Sequence, residues 1–150
     1  MRRALLLLLL LVVSLPARGA EAVDQNGVAQ PWKGASGAYT VIDFAAAWCR
    51  PCWGVLPKLQ AFAREHPELR VLVVDVDDEV EGRDALVEKL GLTIPVVWDG
   101  EHEIAEHYRP RGMPATFVLD PEGRIVYAHV GSGETEWKRM VSFLEKATRR

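Results

Sequence analysis

The chain has two cysteines, Cys49 and Cys52, and only two residues separate them. Thiols at this spacing can exchange reversibly with other disulfides, staple a loop or supply half of a zinc site. A staple around a loop of about 4 residues would stabilise the fold by only about 2 kcal/mol. A zinc site would need two further ligands, and His102 and His107 do not have the spacing of a known zinc finger. The pair therefore favours redox chemistry, with a structural staple and a metal site as the alternatives.

The cysteines lie at a predicted junction between a strand and a helix. Residues 39–44 form a nearly continuous run of apolar side chains, which is typical of a strand buried on both faces. Apolar residues at helical spacing follow between Cys52 and His66. Free N–H groups and the helix dipole at such a junction lower the pKa of a thiol. We therefore predict that Cys49 is the nucleophile and that Cys52, one turn into the helix, is the less exposed resolving thiol.

Three neighbours of the cysteines have expected roles of their own. Pro51 suits the first turn of a helix, because the N–H group that proline lacks would have no partner there. We expect Arg50 and Pro51, which lie between the cysteines, to modulate the reduction potential without fixing its direction. Trp48 directly precedes Cys49 and is expected to form an apolar rim that protein substrates contact.

The elements that must position this pair are those of an α/β fold. The expected order is β-α-β-α-β-β-α, which gives a mixed central sheet with helices on both faces. Residues 120–123 read Asp-Pro-Glu-Gly, a typical turn sequence, so the strands around them should form an antiparallel hairpin. The predicted strands are residues 39–44, 71–76, 115–119 and 124–129, with an extended segment at 94–98. Helices are predicted between residues 52 and 66, at 83–90 and after residues 131–133, with one or two helical turns at 103–108.

Length and composition limit the function classes. The 150 residues are enough for one domain, and 49% hydrophobic with 26% charged residues is typical of a folded protein. The net charge of −3 gives no reason to expect nucleic acid as a partner. We expect a signal peptide over residues 1–22, a turn-rich lead-in over 23–37 that holds at most a small hairpin, and one domain over 38–150.

The N-terminal residues have the pattern of an export signal. Two arginines, Arg2 and Arg3, precede an apolar stretch at residues 4–15, and small residues follow at two possible cleavage sites. One site reads Ala-Glu-Ala at residues 20–22, and the competing site reads Ala-Arg-Gly at residues 17–19. The apolar run of about 12 residues is shorter than the ~20 of a spanning helix, so cleavage is favoured over a retained membrane anchor.

Two separated motifs resemble those of thioredoxin-fold proteins. Residues 43–52 read Asp-Phe-Ala-Ala-Ala-Trp-Cys-Arg-Pro-Cys, and residues 112–117 read Gly-Met-Pro-Ala-Thr-Phe. Together with residues 94–100 and the export signal, they make the chain similar to the TlpA/ResA family of extracytoplasmic thiol-disulfide oxidoreductases. The resemblance covers about residues 38–148. A lone pair of cysteines is a weak signal, but these motifs in this order are specific.

The resemblance implies further site residues and also departures from the family pattern. Pro114 matches a cis-proline beside the disulfide, which leaves the backbone around Met113 free to pair with an extended substrate. Asp43 matches a buried acid that exchanges protons with the resolving cysteine. Val73 stands where thioredoxins have a lysine beside that acid, so Asp43 should be harder to ionise. Ala115 replaces the acid of haem-assembly relatives, which argues against that task.

Other polar residues are expected to be solvated. The acidic run from Asp75 to Glu81 is typical of a surface loop that follows a strand. The four histidines are expected at the surface or at helix ends. They are His66, His102, His107 and His129.

The sequence thus predicts an extracytoplasmic enzyme that reduces disulfides of exported proteins by exchange at Cys49 and Cys52. We expect no cofactor and no metal, a monomer, and a membrane thiol donor that recharges the pair. A disulfide oxidant or isomerase is left open. The alternative from another class is a module that delivers copper or another metal on the same fold.

Overall fold

A computed structural model gives the structure of the protein, which is described over residues 20–149. The predicted export signal therefore lies outside the described residues except for its last three. Within the described part of the chain, no helix has the length and apolar character needed to cross a membrane. The strands are β1 (Glu21–Val23), β2 (Ala29–Pro31), β3 (Thr40–Ala45), β4 (Arg70–Asp75), β5 (Val96–Trp98), β6 (Ala115–Leu119) and β7 (Ile125–Val130); the helices are α1 (Cys52–Glu65), α2 (Val80–Leu90), α3 (Glu103–Tyr108) and α4 (Glu134–Thr148).

Five strands form one mixed sheet in the order β5-β4-β3-β6-β7. Strands β3, β4 and β5 run parallel, whereas β6 is antiparallel to both β3 and β7. The predicted mixed sheet and the predicted hairpin of β6 and β7 are confirmed. The segment 94–98, which the sequence indicates only as extended, contributes β5 as a fifth strand because residues 96–98 pair with β4.

The central strand β3 divides the core into two halves. All six of its residues are buried, and alternate side chains point to opposite faces. Val41 and Ala45 join the core cluster beneath α1, α2 and α4, while Ile42 and Phe44 join the cluster beneath α3. Helices on both faces are therefore confirmed, with three on one side and the short α3 on the other.

The residues before the sheet form a small hairpin that sits on its β5 edge. Strands β1 and β2 pair with each other, and Asp24 forms an isolated bridge with Val97. The side-chain amide of Gln25 accepts a hydrogen bond of 2.7 Å from the N–H of Val96 and donates one of 2.9 Å to the carbonyl of Ile94. The lead-in is thus fastened to the sheet, and β1 includes two residues that the sequence assigns to the export signal.

The prediction of a solvated acidic loop after β4 is wrong for its first two carboxylates. Asp75 is fully buried and Asp77 is 9% exposed, whereas Asp78, Glu79 and Glu81 are exposed. Asp75 is the last residue of β4 and lies between Ala45 of β3 and Trp98 of β5 in the sheet. The strand therefore carries its final acid into the interior before the chain reaches the surface.

Candidate active site

The two cysteines form a disulfide at the start of α1. Their Cα atoms lie 5.4 Å apart, and Cys52 is the first residue of the helix. The prediction that Cys52 lies one turn into the helix is wrong, because tighter i→i+3 hydrogen bonds link residues 49–54 ahead of the regular turns. Pro51 is accordingly the N-cap residue, with φ −60° and ψ −30°, and not a first-turn residue.

The surroundings of the disulfide are asymmetric. Cys52 is fully buried, whereas Cys49 is 4% exposed. Trp48, directly before Cys49, is 65% exposed. The guanidinium of Arg50 lies 5.4 Å from the ring centre of Trp53, whose indole N–H donates a 3.0 Å hydrogen bond to the carbonyl of Ala47. The exposed surface around the pair is therefore formed by Trp48, Arg50 and Pro51.

Asp43 lies inside the sheet on the face that carries both cysteines. It is fully buried, and its neighbours Val41 and Ala45 belong to the same core cluster as Cys49 and Cys52. Burial raises the pKa of Asp43 to about 7, and a hydrogen bond from Thr116 partly counters that rise. A carboxyl group with this pKa can hold or release a proton near neutral pH.

The hydrogen bonds of Asp43 are only half satisfied. The hydroxyl of Thr116 donates a hydrogen bond of 2.7 Å to Oδ1, and Oδ2 has no partner among the described residues. Val73 is the register neighbour of Asp43 on β4, so an apolar side chain stands where the resemblance implies a lysine. Among residues 20–149, Thr116 is the one side chain that hydrogen-bonds to this acid. It lies in the motif at residues 112–117, but sequence reasoning assigned it no role.

Met113 and Pro114 lie in the loop directly before β6. The Met113–Pro114 peptide bond is cis, as the resemblance implies. Met113 is partly buried and packs against both core clusters, while the carbonyl of Pro114 accepts a 2.8 Å hydrogen bond from the N–H of Gly131. This links the end of β7 to the start of β6 at the predicted substrate-contact residues.

Two buried carboxylates support the segment that leads to Cys49, and sequence reasoning missed both. Oδ2 of Asp77 accepts a hydrogen bond of 2.6 Å from the N–H of Ala47, two residues before Cys49. Oδ1 of Asp75 accepts one of 3.2 Å from the N–H of Asp77. Burial and the neighbouring Asp77 raise the pKa of Asp75 to about 8. No local sequence signal separates these two acids from the exposed ones that follow.

A cleft of about 170 Å³ opens beside Pro51, between the start of α1 and the segment that joins β7 to α4. Its lining includes Pro51, Val55, Lys58, His129 and Trp137. The prediction that all four histidines lie at the surface or at helix ends is wrong for His129, which is half-buried within β7 and has a buried Nδ1. The alternation along β7 turns this side chain inward.

The described residues, 20–149, contain no group of three or more His, Cys, Asp or Glu side chains placed to hold a metal ion. The Cys49–Cys52 disulfide and the buried carboxyl group of Asp43 on the same sheet face support dithiol–disulfide exchange.

Comparison with known proteins relates this site to a family. Residues 13–128 match the model of the AhpC/TSA family. The thiol-disulfide oxidoreductase ResA of Oceanobacillus iheyensis is 30% identical over 108 residues, which are 71% of this chain and 55% of that protein. The chain thus spans about half the length of this relative. A thioredoxin H-type of Fagopyrum esculentum is 32% identical over 101 residues, covering 67% of each chain.

Solved structures agree on the fold. The chain superimposes on a putative thiol:disulfide interchange protein DsbE from Chlorobium tepidum with a TM-score of 0.74 and 22% identity, covering 84% of this chain and 90% of the other. StoA from Bacillus subtilis gives a TM-score of 0.70 with 24% identity, covering 85% and 99%. Both likenesses show a thioredoxin-like fold. With its family match over residues 13–128, this chain belongs to the AhpC/TSA family, as a thioredoxin-fold member whose relatives include ResA and the H-type thioredoxin.

Proposed function

We propose that this protein is an extracytoplasmic thiol-disulfide oxidoreductase that reduces disulfides of exported proteins through Cys49 and Cys52. The observation that carries the proposal is the Cys49–Cys52 disulfide at the start of α1, on the same sheet face as a buried carboxyl group with a pKa of about 7. A purely structural bridge has no need of such a carboxyl group. Relatives named thiol-disulfide oxidoreductase support the same chemistry.

The reaction is a two-electron exchange. The thiolate of Cys49 attacks one sulfur of a substrate disulfide, and the other substrate sulfur leaves as a thiolate. Cys52 then loses its proton to Asp43 and attacks the sulfur of Cys49. The mixed disulfide breaks, the Cys49–Cys52 disulfide forms, and the substrate leaves as a dithiol after protonation by solvent. A thiol donor at the membrane must return two electrons and two protons to the pair.

The residues around the pair are assigned to substrate contact and tuning. Trp48 offers an exposed aromatic surface beside Cys49, and Met113 offers backbone groups next to Pro114 for pairing with an extended substrate. Arg50 and Pro51 modulate the potential, since a cation close to Cys49 favours the thiolate.

Export rests on the pattern of residues 1–22. The pairing of β1 with β2 supports cleavage after Gly19, because cleavage after Ala22 would remove two of the three residues of β1. Mass spectrometry of the protein recovered from the extracytoplasmic fraction gives its first residue. Recovery of the unprocessed chain from the cytoplasm alone would contradict the proposed location.

Two variants test the reaction and the order of attack. Cys52→Ser should form stable mixed disulfides with exported proteins through Cys49, whereas Cys49→Ser should form few, because Cys52 is fully buried. In the trapping variant, the pKa of Cys49 should lie below the free-thiol value of about 8.5, as followed by thiolate absorbance against pH. Equal trapping by both variants would reverse the assignment, and absence of trapping by both would remove the proposed function.

The reduction potential of the pair tests the direction. Thioredoxin has a reduction potential of about −270 mV, and a similar potential for this pair supports a reductant. A potential close to that of DsbA, about −120 mV, would make the protein an oxidant. The measurement is equilibration of the purified protein with a redox buffer of known potential.

A further inference from the structure

Four side chains form a row across the sheet on the face that carries the cysteines. Asp43 on β3 is the register partner of Val73 on β4 and of Thr116 on β6, and Thr116 is in turn the partner of His129 on β7. Register partners in neighbouring strands point to the same side of the sheet. The row therefore leads from the buried acid at the centre to the edge strand.

Both ends of the polar part of this row carry an unsatisfied atom. At the inner end, Oδ2 of Asp43 is buried without a partner; at the outer end, Nδ1 of His129 is buried without one. Thr116 lies between them and is 3% exposed. Its hydroxyl already donates to Oδ1 of Asp43 at 2.7 Å. A hydroxyl group that donates one hydrogen bond can also accept one through a lone pair of its oxygen.

The spacing lets His129 complete the chain. Directly opposed residues of an antiparallel pair have Cβ atoms about 4.5–5.5 Å apart. Nδ1 of His129 has no partner among the described residues, so the relay requires a rotation of this side chain that brings a ring nitrogen to hydrogen-bonding distance of the Thr116 hydroxyl. The same imidazole lines the cleft of about 170 Å³ beside Pro51, so it also has access to solvent.

We propose that Thr116 and His129 relay protons between the buried carboxyl group of Asp43 and the cleft beside Pro51. This relay rests on the proposed thiol–disulfide exchange and adds the route by which Asp43 is recharged. His129 and Thr116 do not touch the reacting sulfurs, so both act through Asp43.

The proton count balances during reduction of the Cys49–Cys52 disulfide by an external dithiol. Cys52 leaves as a thiolate and takes the proton from Oδ2 of Asp43. Oδ1 receives the hydroxyl proton of Thr116, and the oxygen of Thr116 receives a proton from the imidazolium of His129. His129 is then reprotonated from solvent in the cleft. When the protein reduces a substrate, the same transfers run in reverse.

The pKa of His129 lies below the ordinary histidine value, and polar groups on neighbouring elements surround its ring. Burial lowers the pKa of His129, and the negative charge of Glu136 on α4 counters this by raising it. Lys58 of α1 lines the same cleft, and the ring of Tyr127 on β7 lies 5.7 Å away. On the β6 side, the imidazole faces Thr116.

The test compares variants in the reduction of the disulfide by dithiothreitol, followed by stopped-flow tryptophan fluorescence from pH 5 to 9. Each variant rate is divided by the wild-type rate at the same pH, because the ionisation of dithiothreitol changes both rates equally. His129→Ala should be slowed about 10-fold or more in dilute buffer. Added imidazole should restore the rate, because the substitution enlarges a cleft that already reaches solvent. His107→Ala, on the opposite face of the sheet, is the matched control.

Thr116 supplies the second arm of the test. Thr116→Ser keeps the hydroxyl and should keep the rate, whereas Thr116→Val should be slow and should not respond to imidazole. A His129→Ala rate that equals wild type at every pH, or imidazole acceleration of wild type to the same degree, would overturn the relay. Failure of the proposed function looks different, since wild type itself would then reduce no protein disulfide.

Discussion

Val73 lies directly opposite Asp43 in the parallel pairing of β3 with β4. The carboxyl group therefore has an apolar neighbour on one side and the hydroxyl of Thr116 on the other. Because no cation in the described part of the chain contacts it, burial dominates and holds the pKa of Asp43 at about 7. The proton affinity of this acid is thus set mainly by burial, and the hydrogen bond from Thr116 lowers it in part.

Replacing Val73 by Lys should lower the pKa of Asp43 from about 7 to roughly 4–6, because an adjacent cation favours the carboxylate. Infrared titration of the carboxyl band gives the value directly. Val73→Met provides a long side chain without charge and should leave the pKa close to that of wild type. The same pKa in the Lys and Met variants would show that a cation at this position does not control Asp43.

Replacing Asp43 by Asn should stabilise the oxidised protein in a pH-dependent way. The folded-state pKa of about 7 exceeds the ordinary aspartate value of 3.8, so the contribution of Asp43 to stability is present below about pH 4 and is lost as pH rises through 7. Between pH 4 and 8, the free energy of unfolding of Asp43→Asn should rise relative to that of wild type by up to about 4 kcal/mol. Urea unfolding at both pH values measures this difference. A stability difference that does not change with pH would contradict the buried, protonated acid.

Displacing the carboxylate of Asp77 should loosen the segment before Cys49. A methyl group at Gly82 would overlap the side chain of Asp77, which accepts a hydrogen bond from the N–H of Ala47. Gly82→Ala and Asp77→Ala should each lower the free energy of unfolding by about 1.5–3 kcal/mol, the range for a hydrogen bond to a charged group. Gly54→Ala is the control, since nothing lies within 4 Å of its added Cβ. Thermal unfolding of the three variants measures the effect; an equal Tm for Gly82→Ala and Gly54→Ala would rule out this support.

Removing the indole of Trp48 should affect protein substrates and leave the fold intact. Because Trp48 is 65% exposed, Trp48→Ala should change stability by no more than about 0.5 kcal/mol. Turnover of a protein disulfide should fall, while turnover of a small disulfide should stay near the wild-type rate. Val28→Ala removes another exposed apolar side chain, 52% exposed, from the N-terminal hairpin and serves as control. Parallel losses for large and small substrates would mean that Trp48 affects the disulfide itself.

The sequence was sufficient for features that depend on neighbouring residues. The continuous apolar run before the cysteines identified the buried strand that became β3, and the position of Cys49 ahead of helical periodicity located the disulfide. The turn at residues 120–123 predicted the hairpin of β6 and β7. Each of these signals is local, so no knowledge of distant pairing was needed.

Features that depend on cross-strand register could not be read in this way. The contact of Thr116 with Asp43 joins residues 73 positions apart, and the inward direction of His129 follows from its pairing with Thr116. Asp75 belongs to a run of acids that resembles a loop until its strand is placed between two others. The three-residue β5 is too short to produce a periodic pattern.

Gln25 caps the edge of the sheet at β5. Its amide binds the N–H of Val96 and the carbonyl of Ile94, two backbone groups that an added strand would otherwise use. Exposed strand edges invite pairing with other chains and thereby aggregation. A second chain can extend the sheet at β5 only after Gln25 releases both groups, so the hairpin that precedes the domain protects this edge from self-association.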